Sequence, residues 1–446
     1  MATNLAAIAK QRGIKYFLIS YVDLFGTMRA KLVPAAAIAD MAKNGAGFAG
    51  FASWLDMTPA DPDVLAIPDP DSLIQLPWRK EVGWLAADPY MNGKVVEQAP
   101  RNVLKQVIAD AASKGYAMKS GVECEFFLIS PDGMGISDAA DHQAKPCYDQ
   151  QALMRRYDVI TEICDSMLEL GWGAYQNDHE DANGQFEHNW DFADALTTCD
   201  RAIFFRYMVE ALAQEQGMIA TFMPKPFADR TGNGCHMHLS LWKDGVNVFH
   251  ADPADDPRGL GLSPLAYNFL GGLKQHAKAY IAVTAPTVTS YKRLVVGETA
   301  VGGATWAPVD ISYGANNRTQ MLRIPGPGRI EDRTVDGSCN PYLAATAVLA
   351  AGLDGIARGL EPGDPVEANL FETDEAQRKE MGVETLPANL LDATRELERC
   401  QVMRAALGAC ATEDYIDYFV RCKRKEWQEA HEQITQWELD RYLQLY

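Results

Sequence analysis

The 446-residue chain is 47% hydrophobic and 23% charged, an ordinary globular composition with room for two domains. A formal net charge of −19 argues against a nucleic-acid surface and against attraction to anionic membranes. The nine cysteines are scattered and never form C-x-x-C, which disfavours a zinc or disulfide framework and points to free thiols in a reducing, cytoplasmic setting.

In chain order, Tyr16 to Val22 predicts a strand, Asp23-Leu24-Phe25-Gly26 a turn, and a second strand ends near Val33. Lys10 and Arg12 interrupt the first Ala/Ile-rich run, so no secretory h-region is expected there. A Gly/Ala/Phe-rich loop runs from Gly45 to Trp54, and Pro-rich turns fill Pro59 to Pro77. Pro100 opens a helix with Val103, Leu104, Val107, Ile108 and Ala111 at helical spacing, and Gly115 stops it. The domain boundary is expected just before that helix, giving domains of residues 1–98 and 99–446. Further helices are expected at Asp149–Leu170, Asp200–Gln216, Pro264–Thr284, Pro341–Arg358 and from about Ala388 onward. The apolar run near Ala344 to Leu353 is too short to span a bilayer. Strands at Met118, Ala174, Gln185, Ala220, Cys235 and Thr319 make the second domain α+β with a mostly antiparallel sheet.

Four constellations carry chemistry. In Gly121-Val122-Glu123-Cys124-Glu125-Phe126-Phe127 a strand places Glu123 and Glu125 on one face. Two carboxylates in an apolar setting are costly unless a positive group lies between them, and a hard divalent cation answers that need. Next, Glu180 closes one strand and Glu187 lies in the following one, with Asn183-Gly184 as hairpin chemistry between them. In Cys235-His236-Met237-His238-Leu239-Ser240, the polar residues share one face and the apolar ones the other. Last, Arg293, Arg318, Arg323, Arg329 and Arg333 lie among Ile, Met and Pro, where planar guanidinium donors suit carboxylate and phosphate oxygens. Five glutamates and a histidine for cations, with five arginines for anions, suit phosphoryl transfer between a nucleotide and a carboxylate.

In order, E-x-E, H-E-(x)6-E, N-G-x-H-x-H, R-L-V-x-G, N-R-(x)4-R-I-P, R-I-E-x-R, N-P-Y-L and A-G-L-D-G-I make the chain resemble the glutamine synthetase family over nearly its whole length. The resemblance implies a small N-terminal β-grasp domain and a large catalytic domain with a curved, mostly antiparallel sheet flanked by helices. It implies homo-oligomers in stacked rings, a dodecamer among them, with each active site between one N-terminal domain and a neighbouring catalytic domain. It assigns one Mg²⁺ or Mn²⁺ to Glu125, Glu180 and Glu187, and a second to Glu123, His236 and Glu331. ATP would meet His238, Ser240, Arg323, Arg329 and Phe192. L-Glutamate would meet Gly232, Arg293, Arg318 and Arg333, and Arg318 and Arg323 would steady the transferred phosphate. In the family, ATP phosphorylates the γ-carboxylate of glutamate and an amine then attacks the acyl phosphate.

Three departures matter. Where the family reads F-D-G-S-S and binds ammonium, this chain reads Phe48-Ala49-Gly50-Phe51-Ala52-Ser53-Trp54. Ala49, Phe51 and Ala52 offer no anionic or hydrogen-bonding partners to NH₄⁺ but accept a methyl group, whose burial is worth roughly 0.8 kcal/mol. The loop therefore predicts methylamine as nitrogen donor and likens the chain to the glutamate–methylamine ligase branch, with ammonium, a polyamine or ethanolamine as alternatives. The flap glutamate expected six residues after Arg293 falls on Thr299, leaving Glu298, one residue earlier, or Asp178 beside Glu180 to deprotonate the amine. Finally, N-L-Y has become Asn369-Leu370-Phe371, and Phe371 has no hydroxyl to adenylylate.

Overall fold

Phe17, Ile19 and Tyr21 alternate along Tyr16–Val22 and are all buried, so this strand turns a face to a core. It pairs antiparallel with Met28–Pro34 and parallel with Val82–Met91. In the computed structural model the described residues are 4–295, 307–410 and 412–445, with the backbone of 298–299 and 303–304. Among these, a seven-stranded sheet lies wholly between Tyr16 and Val95.

A second sheet, of ten strands, is built around Ala117–Ile129. That central strand is flanked antiparallel by Gln185–Asn189 on one side and Cys235–Lys243 on the other. Cys235–Lys243 continues to Arg329–Asp332, and that to Leu322–Gly326. One pair, Tyr313–Gly314 with Leu322–Gly326, is parallel, so the sheet is mixed. Phe126, Phe205 and Phe222 meet edge-on and tilted beneath the central strand, where helix Ala195–Glu215 covers the sheet.

The two sheets are joined by a buried ion cluster. Arg101, on helix Pro100–Ser113, donates to Asp69 and Asp88 from the first sheet's side and to both oxygens of Asp200 on Ala195–Glu215. Behind the second sheet, helix Pro264–Thr284 packs on Pro341–Arg358. Gly272 allows the close approach, since a Cβ there would lie 2.1 Å from the Ala351 carbonyl oxygen.

Several expected boundaries shift. The helix expected at Asp149–Leu170 divides into Gln150–Arg155 and Tyr157–Glu169, because Arg156 (φ −112°, ψ 18°) leaves helical geometry and donates to Ser137. The helix expected from Asp200 starts at Ala195, since the apolar spacing does not mark its polar first turn. The strand expected at Ala174 begins at Gln176, and that expected at Thr319 begins at Leu322. Asn317 caps a turn through Thr319, which delays the second of these. Pro264–Thr284 and Pro341–Arg358 have the expected bounds, each with a proline in the first turn and a side-chain N-cap from Ser263 or Asn340. Among the described residues no helix is long and apolar enough to cross a membrane.

Candidate functional site

Strand register decides which side chains meet. Across the second sheet Glu125 faces Glu187 and Glu123 faces His236, while His238 faces Glu331 and Glu331 faces Arg323. These strands surround a cavity of about 240 Å³, lined by Glu123, Glu125, Asp178, Glu180, Glu187, His236 and His238 together with all five arginines.

One side of the cavity has its carboxylates already paired. Glu123 accepts from His236 Nδ1 at 3.2 Å and His238 Nε2 at 2.8 Å. Glu331, fully buried, accepts from Arg323 at 2.6 Å and Arg333 at 2.7 Å. Burial raises the Glu123 carboxyl, but the hydrogen bonds from both histidines more than offset it and hold it far below the ordinary carboxylate range. Burial also works against ionised Glu331, and Arg333, His238 and His236 still leave its carboxyl lowered.

The other side holds carboxylates facing one another. Burial and then repulsion from Glu125 and Asp178 push Glu180 up to about 8. Glu187 is raised well above the usual range by burial first, then by Glu180, Glu123 and Glu125. Asp178 is raised chiefly by burial, opposed by a hydrogen bond from Gln176. Glu125 lies between the two sides, its Oε2 taking the Gly234 amide at 2.6 Å and Gln185 Nε2 at 3.2 Å. Gly234 has no room for a side chain: a Cβ would stand 2.7 Å from His236 Nε2 and 3.1 Å from Glu125 Oε1.

These groups fit divalent cations. Ligand atoms of Glu123, His238 and Glu331 lie within 4.8 Å of one another, as do those of Asp178, Glu180 and Glu187. Oxygen donors with an imidazole suit Mg²⁺ or Mn²⁺, and positive charge among Glu180, Glu187 and Asp178 would offset the burial and repulsion that raise them. The geometric grouping differs from the motif grouping in two members. His238 lies within the 4.8 Å cluster where the motifs name His236. Glu125, tied to Gly234 and Gln185, is replaced by Asp178 in the other. His236 remains close, 3.7 Å from Glu125 and 3.8 Å from Glu331.

The arginines divide by burial. Arg293 is buried and donates to the backbone carbonyls of Thr334 and Arg333, which fixes its fork beside Gly232. A Cβ at Gly232 would meet Arg293 side-chain atoms at 2.9 and 3.0 Å, so glycine is required for that approach. Arg318 and Arg329 are exposed and line the cavity mouth, whereas Arg323 and Arg333 anchor Glu331 from inside.

Through Glu123, His238 and Arg329 the cavity adjoins a second of about 400 Å³ that also holds Ser240 and Phe192. Phe192 stacks with Trp242 at 6.3 Å, and the Lys119 ammonium lies 4.2 Å from the Trp242 ring centre. Flat rings with a cation and a hydroxyl suit a nucleotide base and its phosphates.

Sequence reasoning missed Gln185, Asn189, Tyr148, Tyr175 and Trp242, all of which line these cavities. Gln185, Glu187 and Asn189 share one strand face, and Asn189 donates to Glu187 at 2.7 Å, so period-two alternation from Glu187 is the signal that finds the first two. Tyr148 and Tyr175 come from irregular segments and carry no such signal. Of the predicted amine residues, Asp178 lines the cavity, while Ala49, Phe51 and Ala52 do not. All three are exposed on the first sheet's side, with Phe51 and Trp54 about half exposed, at 49% and 52%. The Glu298 side chain lies outside the described residues.

The family model for the glutamine synthetase catalytic domain matches residues 97–442. A solved structure described as a GmaS/ADP complex is 58% identical, with a TM-score of 0.93 over 99% of both chains. The glutamine synthetase of Rhizobium meliloti (strain 1021) is 53% identical over 98% of both chains. The glutamate–methylamine ligase of Methyloversatilis universalis is 43% identical over 98% of both.

Proposed function

The chain belongs to the glutamine synthetase family, and we propose that within it the protein is an ATP-dependent ligase that joins L-glutamate to methylamine. The product is γ-glutamylmethylamide, formed through γ-glutamyl phosphate with release of ADP and phosphate. The observation that carries the choice of amine is the loop at residues 48–54. Ala49, Phe51 and Ala52 present methyl and phenyl groups where ammonium requires acceptors for four protons. Likeness to the Methyloversatilis glutamate–methylamine ligase, and to GmaS in its complex with ADP, supports the same reading.

Each residue follows from its charge and position. Arg293, with Gly232 giving it room, holds the glutamate carboxylate, and Arg333 supports it from the buried side. The rings of Phe192 and Trp242 take the adenine, while His238, Ser240, Arg323 and Arg329 meet the phosphates. Arg318 at the cavity mouth, with Arg323 behind it, neutralises charge on the transferred phosphoryl group. Divalent cations, when held by Glu125, Glu180 and Glu187 and by Glu123, His236 and Glu331, add charge neutralisation at those phosphate oxygens. Asp178 is the base for methylammonium, since a raised carboxyl pKa makes a better proton acceptor, and Glu298 is the second choice.

The loop completes the site of a neighbouring copy. Support comes from its exposed Phe51 and Trp54 and from the absence of residues 48–54 among those lining the cavity of their own chain. On this reading the domains divide at residues 98 and 99, after the last strand of the first sheet, and meet across subunits of a homo-oligomeric ring.

A second reading, ammonium as donor, is favoured by the 53% identity to the Rhizobium glutamine synthetase. Phosphate release with ATP, Mg²⁺ and glutamate, compared across methylamine, ethylamine, putrescine and ammonium, separates the two. Methylamine is expected to give the highest kcat/KM; a higher value for ammonium makes the enzyme a glutamine synthetase.

A further inference from the structure

Another group of titratable side chains lies outside the catalytic cavity, in the helical layer. Cys400 follows helix Leu390–Arg399, and its Sγ lies 3.5 Å from Nδ1 of His276 on Pro264–Thr284. Nε2 of the same ring lies 2.8 Å from Oδ2 of Asp354 on Pro341–Arg358. Arg358 donates to that same oxygen at 2.9 Å and so holds the carboxylate in place. An ionised Asp354 accepts the Nε2 proton, which fixes the tautomer and leaves Nδ1 free to take the thiol proton. Three segments distant in sequence thus assemble a thiol, a base and an orienting carboxylate.

Cys400 and His276 both line a surface cavity of about 520 Å³. The charged groups around it are Lys274, Lys278, Arg399, Glu361, Glu384 and Glu396. Lys278 pairs with Glu384, Arg399 lies 3.9 Å from Glu396, and Lys274 donates to the Pro362 carbonyl at 2.6 Å. Both signs of charge border one pocket beside the sulfur, which matches a small molecule that carries ammonium and carboxylate groups itself.

We propose that Cys400 is a thiol–disulfide exchange site for low-molecular-weight disulfides of the amino-acid type, with His276 as its base and Asp354 as the positioning residue. The Cys400 sulfur attacks one sulfur of the incoming disulfide as its proton passes to His276 Nδ1. A mixed disulfide forms while the original S–S bond breaks, and the departing thiolate takes the proton from His276. One thiol and one disulfide enter, and one of each leaves, so no further oxidant is required. Burial raises the Cys400 thiol, yet the His276 hydrogen bond leaves it lowered overall. Burial instead pushes Cys147 and Cys410 up to about 12.

The test exposes the reduced full-length protein to cystine between about pH 6 and 9 and follows each cysteine peptide by mass spectrometry. Near pH 6.5, Cys400 is expected to react about tenfold or more faster than Cys422 or Cys147, with a rate that persists below the range of an ordinary thiol, about 8.5. His276→Gln is expected to lower the Cys400 rate about tenfold, and Asp354→Asn to lower it less, with the Cys422 rate and amine ligation unchanged. A Cys400 profile that tracks Cys422 across this range in the unmutated protein overturns the proposal, whatever the variants do. An unchanged Cys400 rate in a folded His276→Gln protein overturns the role of the histidine.

Discussion

The two acidic clusters share one cavity, and they differ in what faces them. Glu123 and Glu331 look at imidazole and guanidinium groups, so they are ionised without help. Glu180 and Glu187 are buried and then repelled by neighbouring carboxylates, Glu125 among them for both, so their carboxyls are held above the ordinary range. The first cluster is an electrostatic fixture of the fold; the second is a vessel whose charge depends on its contents. Two carboxylate clusters built from the same residue types therefore make opposite demands on stability.

That contrast predicts opposite responses to amide substitution. Glu331→Gln leaves Arg323 and Arg333 buried against a neutral group, and is expected to cost about 3–5 kcal/mol and to abolish turnover. Thermal unfolding and phosphate release measure both, and an unchanged unfolding midpoint would show that the arginines find other partners. Glu187→Gln is expected to lower turnover about 100-fold or more. In chelator at alkaline pH it should instead stabilise the fold by about 1 kcal/mol, because it removes a repelled buried carboxyl. A destabilised Glu187→Gln protein would erase the difference between the clusters.

The pH dependence follows the same division. Glu180 has a raised folded-state value, so its contribution to stability is fully present below about 4.5 and is lost as pH rises from there to about 8. In chelator, the unfolding midpoint should therefore fall across that window and recover when Mg²⁺ is added. Cation binding must expel the proton, so affinity at this cluster should drop by about tenfold per pH unit below 8 for each proton displaced. Calorimetry in buffers of different ionisation heat detects that proton release, and its absence would place Glu180 already ionised. The smallest expected effect is on the loop: Ala49→Asp should move the ratio of kcat/KM for ammonium over methylamine upward by about tenfold, roughly 1.4 kcal/mol. An unchanged ratio would separate loop 48–54 from the amine site.

Much of this site was legible because its elements are strands of strong periodicity. Glu123 with Glu125, and His236 with His238, fall on shared faces by alternation alone, and Asn183-Gly184 marks the hairpin that returns Glu187. Helix limits were readable where proline and an N-cap coincide, as at Ser263 and Asn340. They were misread where the signal is tertiary. Arg156 breaks a helix of continuous apolar spacing because its guanidinium reaches Ser137 across the loop.

By itself the sequence determined the donor inventory: five glutamates, paired histidines and five arginines at spacings that suit strands, and a loop without a carboxylate at Ala49. Residue type and period two suffice for that, since both are local. Only the tertiary structure decided which donor atoms come within 4.8 Å of one another, those of His238 with Glu123 and Glu331, and those of Asp178 with Glu180 and Glu187. It also decided that Cys400 meets His276, and His276 meets Asp354. Register between strands and packing between helices are properties of pairs of segments, and burial then sets which carboxylates are charged. No stretch of sequence read alone contains either quantity.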